Sequence, residues 1–454
     1  MFQNQLKSLL LDRYSISESV RANYARGEDI FDPILPLGIA FPETNEEVSK
    51  IVKICNENSI PIIPYGTGTS LEGHVLGNEN GITISLERMN KILEVNNEDF
   101  DCRVEACVTR NKLNEHLKNQ GLFFPIDPGA DASIGGMTST SASGTMAVKY
   151  GTMKTMVIGL TVVLSNGDIV KTGTRTKKTS AGYNLTGLFI GSEGTLGIIT
   201  EIHLRLVPIP ESIMSAVCHY PDLESTVTTA QEIIQCGIPV ARIELLNADQ
   251  MDISIKYSKL ENMETKPTLF FEFHGSELSN KEAIKLVEEI SNTHSGSAFK
   301  WATTTEERNK IWKARYDVYY SVKSLHPNTR IYTTDVCVPI SRLAECIIYA
   351  EKEIKNYGLQ APIIGHVGDG NFHHTIVYNP IDKDDYKIIR EFSNNLIQKT
   401  LELEGTITGE HGIGINKKEY LIEQHKDNIP LMRMIKKSLD PKNIMNPGKV
   451  FDLE

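Results

Sequence analysis

The sequence has no apolar run approaching the roughly 18 residues that a membrane-crossing helix needs. It has no Cys-x-x-Cys pair and no low-complexity tract. Its 7 cysteines are an odd number, spread over 454 residues at 55, 102, 107, 218, 236, 337 and 346. That excludes a disulfide scaffold or a zinc ribbon and leaves thiols packed as small apolar groups. No haem-type Cys-x-x-Cys-His occurs, and the cysteine spacing supports no iron–sulfur cluster. Positive charge is short: 47 Lys and Arg stand against 58 Asp and Glu, a net charge of -11. Such a chain is a poor general binder of nucleic acid, whose affinity rests on cations against phosphate. With 33 Gly and 19 Pro, neither a collagen nor a long disordered chain is plausible. The start, MFQNQLKSLLLDRYSISES, has too short an apolar run for a signal peptide and lacks the Arg-rich, acid-poor character of a mitochondrial presequence. The expectation is a cytoplasmic protein, with peripheral contact at the inner membrane left open.

What is present is enough chain for roughly two to three domains of about 150 residues. Residues 1–30 read as short amphipathic helices. Thr44 and Glu47 then form a T-x-x-E capping box ahead of Val48, Ile51, Val52 and Cys55 at helical spacing. Strands are expected at 60–64, 82–86, 92–95, 103–108, 159–164, 169–171 and 196–206, with a helix over 111–119 capped by Thr109. Pro208 and Pro210 mark a boundary. Beyond it, strands near 215–219, 240–245, 268–273, 298–301 and 330–338 alternate with helices near 222–235, 280–292, 305–323, 341–356 and 384–403. Two further strands flank Gly365–Asn371. This β-α-β rhythm suggests ferredoxin-like α+β modules. The division expected is 1–208, 209–430, and a tail 431–454 that packs back on the first domain.

Three stretches of Gly, Ser and Thr stand out in the first half. One is Pro64-Tyr65-Gly66-Thr67-Gly68-Thr69-Ser70. The second runs from Pro128-Gly129 through Gly135-Gly136-Met137-Thr138-Ser139-Thr140-Ser141-Ala142-Ser143-Gly144 to Tyr150-Gly151. The third is Gly191-Ser192-Glu193-Gly194-Thr195-Leu196-Gly197-Ile198-Ile199. Small residues with free N–H groups can wrap a pyrophosphate. Taken alone, the first loop reads as a tight turn sooner than as a binding loop. It is no P-loop, since no Gly-Lys-Ser/Thr follows, and no Rossmann fingerprint, since no helix opens after it. A long cofactor threaded between the three would explain them together.

The segments PYGTGTS, PGADASIGGMTSTSASG and YNLTGLFIGSEGTLGIIT resemble the FAD-binding domain of the vanillyl-alcohol-oxidase (PCMH-type) flavoproteins. The blocks YTTDVCVPISRL, GHVGDGNFHH, TGEHGIGINK and DPKNIMNPGKV narrow this to the branch of D-lactate dehydrogenase (cytochrome) and the glycolate oxidase D-subunit, with D-2-hydroxyglutarate dehydrogenase a more distant relative. The resemblance runs from about residue 30 to the end. It implies an α+β protein: a vanillyl-alcohol-oxidase/PCMH-type FAD-binding domain plus a ferredoxin-like cap domain, oxidising a 2-hydroxy acid. It implies cofactor contacts at Tyr65, Gly66, Thr67, Gly68, Thr69, Ser70, Pro128, Gly129, Gly136, Met137, Thr140, Ser143, Gly144, Tyr150, Glu193, Gly194, Ile199 and Asn446. Members with covalent flavin often carry a His in the first loop; Thr69 stands there, which favours non-covalent FAD.

Two imidazoles, His366 and His373, flank a Gly-rich turn, and Glu410-His411 sits between glycines in TGEHGIG. Two imidazoles and a carboxylate make an open site for Zn²⁺, Mn²⁺ or Fe²⁺. A 2-hydroxy acid can chelate such an ion through carboxylate and hydroxyl oxygens, which lowers the hydroxyl pKa. By the resemblance, His366, His373 and Glu410 are the metal ligands, His411 is the general base and Arg315 holds the substrate carboxylate. Asp369 either orients a ligand or only forms the turn, and His374 should point to the other face of its strand. Arg308, Trp312, Arg315 and Tyr319 are spaced to share one helix face. Thr333 stands where the hydroxyglutarate branch carries a Lys, which favours a monocarboxylate. The expected substrate is D-lactate, with glycolate or D-2-hydroxyglutarate as alternatives. The electrons would go to an external acceptor: cytochrome c, a quinone or an electron-transfer flavoprotein. A flavin-free metal hydrolase would explain 366–411 but not the three loops.

Overall fold

The structure is a computed structural model that describes residues 2–261, 263–325 and 329–453. Its helix Asn45–Glu57 begins where the capping pattern says, with Thr44 Oγ1 accepting the Glu47 N–H at 3.2 Å. The return half of that box is not made. The Glu47 carboxylate instead takes the Arg13 guanidinium at 2.5 and 2.6 Å and the Glu43 N–H at 2.8 Å, because a charge-assisted pair outcompetes a neutral bond. Val48, Ile51, Val52 and Cys55 are all buried. Among the described residues no helix is long and apolar enough to cross a membrane. Among the described residues, none of the seven cysteines is in a disulfide.

The chain divides into two units. The first holds the residues through Ser143, Gly151–Ile209 and the chain from Glu410 on; the second holds Gly144–Tyr150 and Pro210–Gly409. In the first unit, one sheet runs Tyr14–Ser15, Gly38–Ala40, Ile82–Ser85, Ile62–Tyr65, and its last three strands are parallel. A second, antiparallel sheet runs Ile92–Asn96, Asp101–Glu105, Ile198–Arg205, Val157–Val163, Ile169–Gly173. The tail is stitched in by its backbone: Ile62 N–H donates to Ile444 O at 2.7 Å and Asn446 N–H to Ile62 O at 2.9 Å. The buried Lys436 ammonium ties Thr195 O and Met445 O, each at 2.8 Å, to Asp440.

Two assignments differ from the sequence reading. Residues 410–430, expected with the second domain, group with the first, because two buried carboxylates there, Glu72 and Glu193, bind the loop that starts at Glu410. Residues 144–150, expected among the cofactor loops, group with the second unit. Their helix Ala147–Tyr150 packs on the strand Arg242–Leu246.

The second unit is built on one antiparallel sheet in the order Ser297–Ala302, Ser212–His219, Thr268–Gly275, Arg242–Leu246, Ile363–His366, Asn371–Tyr378, Arg330–Thr333. The helices Leu223–Gln235, Glu277–Thr293, Leu343–Tyr357 and Lys383–Glu402 are the expected crossovers. A buried cluster of Val217, Leu246, Phe270, Ile364, Ile311 and Trp312 joins the sheet to the helix Thr305–Tyr316. The single helix expected over 305–323 is two, with a junction at Asp317 before Val318–Leu325. Asp317 Oδ2 accepts the Ser258 hydroxyl at 2.5 Å. The supposed common face splits accordingly: Trp312 is in the core and Tyr319 is exposed. The strand expected over 330–338 is also interrupted, at Thr334-Asp335, and that interruption matters to the site.

Candidate functional site

In the first unit the three Gly/Ser/Thr stretches meet. Ser133 N–H donates to Thr67 Oγ1 at 3.3 Å, and Glu193 N–H donates to Ser139 O at 2.8 Å. A Cβ on Gly66 would lie 2.3 Å from Ser133 Oγ, and one on Gly194 would lie 2.7 Å from Pro64 Cγ. Only glycine lets these loops approach so closely; Gly68 and Gly194 also have φ of 74° and 73°. Ser133 caps the short helix Ile134–Ser139 by accepting the Gly136 N–H. This helix carries Gly136 and the buried Met137, and Thr140 follows it. Gly129 has nothing within 4 Å of its Cβ direction, and Pro128 precedes it. Three buried polar atoms of these stretches and the tail, Ser70 Oγ, Ser192 Oγ and Asn446 Oδ1, have no hydrogen-bond partner. Buried polar atoms are normally satisfied, so this surface fits a large polar cofactor such as FAD.

The expected cofactor residues are not all alike. Tyr65 is buried and donates its hydroxyl to Arg26 O at 3.2 Å. Thr69 Oγ1 lies 3.5 Å from Thr67 Oγ1, and Ile199 is a buried strand residue. Asn446 Nδ2 donates to His74 O at 3.0 Å and to Glu193 O at 2.6 Å. The Glu193 carboxylate accepts the N–H groups of Ile413 and Gly414 at 2.7 and 2.8 Å and lies 3.3 Å from His74 Nε2. It clasps the 410–417 loop. Ser143 ends the first unit's opening segment, whereas Gly144 and Tyr150 belong to the second unit. Tyr150 Oη is 2.7 Å from His274 Nδ1, and His274 Nε2 is 2.8 Å from Glu272 Oε1. Burial pushes the Tyr150 hydroxyl up to about 12.

In the second unit, His366 and His373 lie diagonally on neighbouring strands, where Ile364 pairs with His373 and His366 with Asn371. Their ring centroids are 5.4 Å apart and edge-on. His374 pairs with Ile363 on the opposite face and stacks edge-on against Phe372 and Phe392. Burial lowers its imidazole to about 3. His366 Nδ1 lies 2.7 Å from Glu244 Oε1, and His373 Nδ1 lies 3.0 Å from the Thr334 carbonyl. A carbonyl and an ionised carboxylate only accept, so each ring donates from Nδ1, and Nε2 is the nitrogen that would bind an ion. Glu410 follows directly on Gly409, whose N–H donates to Asp335 Oδ2 at 2.9 Å. One ligand atom from each of His366, His373 and Glu410 lies within 4.8 Å of the others. The donor set fits a divalent cation.

Three further carboxylates organise these groups, and the sequence reading passed over all three. Glu244 is wholly buried and bridges His366 and Arg315, whose Nε lies 2.7 Å from its Oε2. Burial alone would raise this carboxyl, but His366 and Arg315 hold it below the usual range. Asp335 accepts from Asn371 Nδ2 at 2.8 Å, Thr408 Oγ1 at 2.6 Å and Gly409 N–H, and lies 3.6 Å from His373 Nδ1. In the first unit, Glu72 Oε1 faces His411 Nδ1 at 3.6 Å and Lys417 Nζ at 3.3 Å, while Oε2 accepts from Asn416 at 2.7 Å. Burial would raise Glu72, yet Lys417 and His411 bring it down to about 2. A lone Glu inside the apolar strand Arg-Ile-Glu-Leu-Leu was the available signal for Glu244, since unpaired charges are almost never fully buried.

Residues 36–173 match the FAD binding domain family, and residues 209–450 match the C-terminal domain of FAD linked oxidases. The chain is 47% identical to a probable mitochondrial D-lactate dehydrogenase of Danio rerio, over 97% of this chain and 89% of that protein. It is 42% identical to the mitochondrial D-lactate dehydrogenase [cytochrome] of Arabidopsis thaliana, over 99% of this chain and 79% of that protein. The chain belongs to the family of FAD-linked D-lactate dehydrogenases. That family also takes in the glycolate oxidase subunit GlcD of Bacillus subtilis, 34% identical over 92% of this chain and 89% of that protein. Among solved structures, p-cresol methylhydroxylase superposes with a TM-score of 0.81 at 18% identity, covering 100% of this chain and 96% of that one. At that identity the likeness speaks for the fold, the vanillyl-alcohol-oxidase type. The match to an FAD-binding domain sets aside the flavin-free hydrolase.

Proposed function

We propose that the chain oxidises a D-2-hydroxy acid, most simply D-lactate to pyruvate, with FAD and a divalent metal ion, and passes the electrons to an external acceptor. The observation that carries this reading is the convergence of His366, His373 and Glu410 in a family whose members are FAD-linked. When bound, FAD supplies a two-electron acceptor at N5, and an ion of the Zn²⁺, Mn²⁺ or Fe²⁺ class at the three ligands supplies a Lewis acid for the substrate oxygens. Arg315 binds the substrate carboxylate through its guanidinium fork. His411 accepts the hydroxyl proton at Nε2 as the Cα hydrogen leaves with its electron pair. Glu72, on the Nδ1 side, orients that ring and stabilises its positive charge. The name of the Arabidopsis relative favours a cytochrome as acceptor over a quinone or an electron-transfer flavoprotein.

Lack of a cation at Thr333 favours a monocarboxylate over D-2-hydroxyglutarate, and the likeness to the Bacillus glycolate oxidase subunit makes glycolate the second reading. Comparing kcat/KM for D-lactate, glycolate and D-2-hydroxyglutarate decides among them. Exhaustive chelation is expected to slow D-lactate oxidation on the order of 10²-fold, the rate equivalent of a few kcal/mol, with the flavin absorbance retained. Full activity after chelation removes the metal from this reading. With Thr69 in the first loop, acid precipitation is expected to release the flavin into the supernatant, and flavin that stays with the pellet refutes non-covalent binding.

A further inference from the structure

Glu244 sits on the strand Arg242–Leu246, next to the strand Ile363–His366, with Leu245 paired to Gly365 and Leu246 to Ile364. That register sets Glu244 and His366 side by side on the same sheet face. The helix Thr305–Tyr316 packs on this face through Trp312 and brings Arg315 to the carboxylate from above. The two oxygens are divided: Oε1 goes to His366 Nδ1 and Oε2 to Arg315 Nε, each at 2.7 Å. The carboxylate is wholly shielded from solvent. A buried charge of this kind is expensive unless its partners use it fully.

We propose that Glu244 is the positioning residue that sets the metal-ligand tautomer of His366 and the aim of Arg315 at the same time. This rests on the reading of His366 as a metal ligand and Arg315 as the substrate-carboxylate group. By accepting from Nδ1, Glu244 keeps the proton there and leaves the Nε2 lone pair for the ion. By engaging Arg315 through Nε, it leaves both terminal guanidinium nitrogens for a carboxylate. Its negative charge also lies between two groups that would otherwise repel, a metal-bound imidazole and a guanidinium. The ligand class that fits both ends is an anion whose carboxylate adjoins a second oxygen donor, as in a 2-hydroxy acid.

Glutamine is isosteric but has only one acceptor oxygen, so Glu244→Gln can serve His366 or Arg315 and not both. In the FAD-loaded protein, E244Q is expected to bind Zn²⁺ about 10- to 100-fold more weakly, read by competition with a chromophoric chelator. At saturating Zn²⁺ its KM for D-lactate is expected to rise about 10-fold, the equivalent of roughly 1.4 kcal/mol. Glu244→Asp, which keeps both acceptor oxygens, should fall between the two. A folded E244Q with wild-type Zn²⁺ affinity and KM, altered only in melting temperature, overturns the proposal. A wild-type protein that leaves all Zn²⁺ with the chelator instead overturns the metal reading itself, without recourse to any variant. Should E244Q fail to fold, a long-range ¹⁵N–¹H spectrum of histidine-labelled wild-type protein decides. His366 protonated on Nδ1 is the expected result, and His366 protonated on Nε2 overturns the proposal.

Discussion

Replacing His411 by asparagine is expected to slow flavin reduction by D-lactate about 10²- to 10⁴-fold, the usual contribution of a positioned general base. The flavin should stay bound, because the Gly/Ser/Thr surface that fits FAD is made by the stretches around 64–70, 128–143 and 191–199 and by Asn446. The argument runs through Glu72. Its carboxylate faces His411 Nδ1 at 3.6 Å and is kept ionised by Lys417; on the proposed mechanism this negative charge on the Nδ1 side would leave Nε2 to accept the substrate proton. Asparagine preserves a polar side chain but cannot take a proton at neutral pH. Anaerobic stopped-flow reduction measures the effect at the flavin band. A wild-type rate in this variant removes His411 from the mechanism.

The second large effect concerns stability. Lys417 is buried, and its ammonium lies 3.3 Å from Glu72 Oε1. Lys417→Met would leave a buried carboxylate without its cation, which costs about 3–5 kcal/mol when one partner of such a pair is removed. Thermal or urea unfolding of the flavin-loaded protein measures it, and an unchanged stability would show that the pair contributes nothing. The same pair gives a pH dependence. The Glu72 carboxyl sits near 2 in the fold against 4.5 unfolded. Its stabilisation is therefore complete above 4.5 and is lost as the pH falls from there toward 2. In the methionine variant the folded carboxyl loses the cation that depressed it, so acid unfolding should begin at a higher pH.

The parts of this site that were legible in the sequence are those whose chemistry is local. PYGTGTS and the two later stretches announce themselves by composition, because close backbone approach demands glycine. His366 and His373 share a Gly-rich turn, and the alternation of a strand separates His373 from His374. The hidden parts join remote segments. Glu244 is 122 residues from His366 and 71 from Arg315, and only the pairing of two strands and the packing of Trp312 bring them together. Asp335 was read as part of one continuous strand. The backbone breaks there instead, so that its carboxylate can take Asn371, Thr408 and the Gly409 N–H. The grouping of 410–430 differs from the expected boundary near 430 for a similar reason. Glu72 and Glu193 draw the 410–417 loop into the first unit, and no spacing rule links residue 72 to residue 416.

The visible spectrum of the purified, metal-replete protein under anaerobic conditions, before and after D-lactate, tests the central claim most directly. The expected result is a flavin band that bleaches with D-lactate and persists with L-lactate, which establishes cofactor, reaction class and stereochemistry together. A flavin band that survives D-lactate, glycolate and D-2-hydroxyglutarate alike would contradict the assignment of this chain as a D-2-hydroxy-acid dehydrogenase.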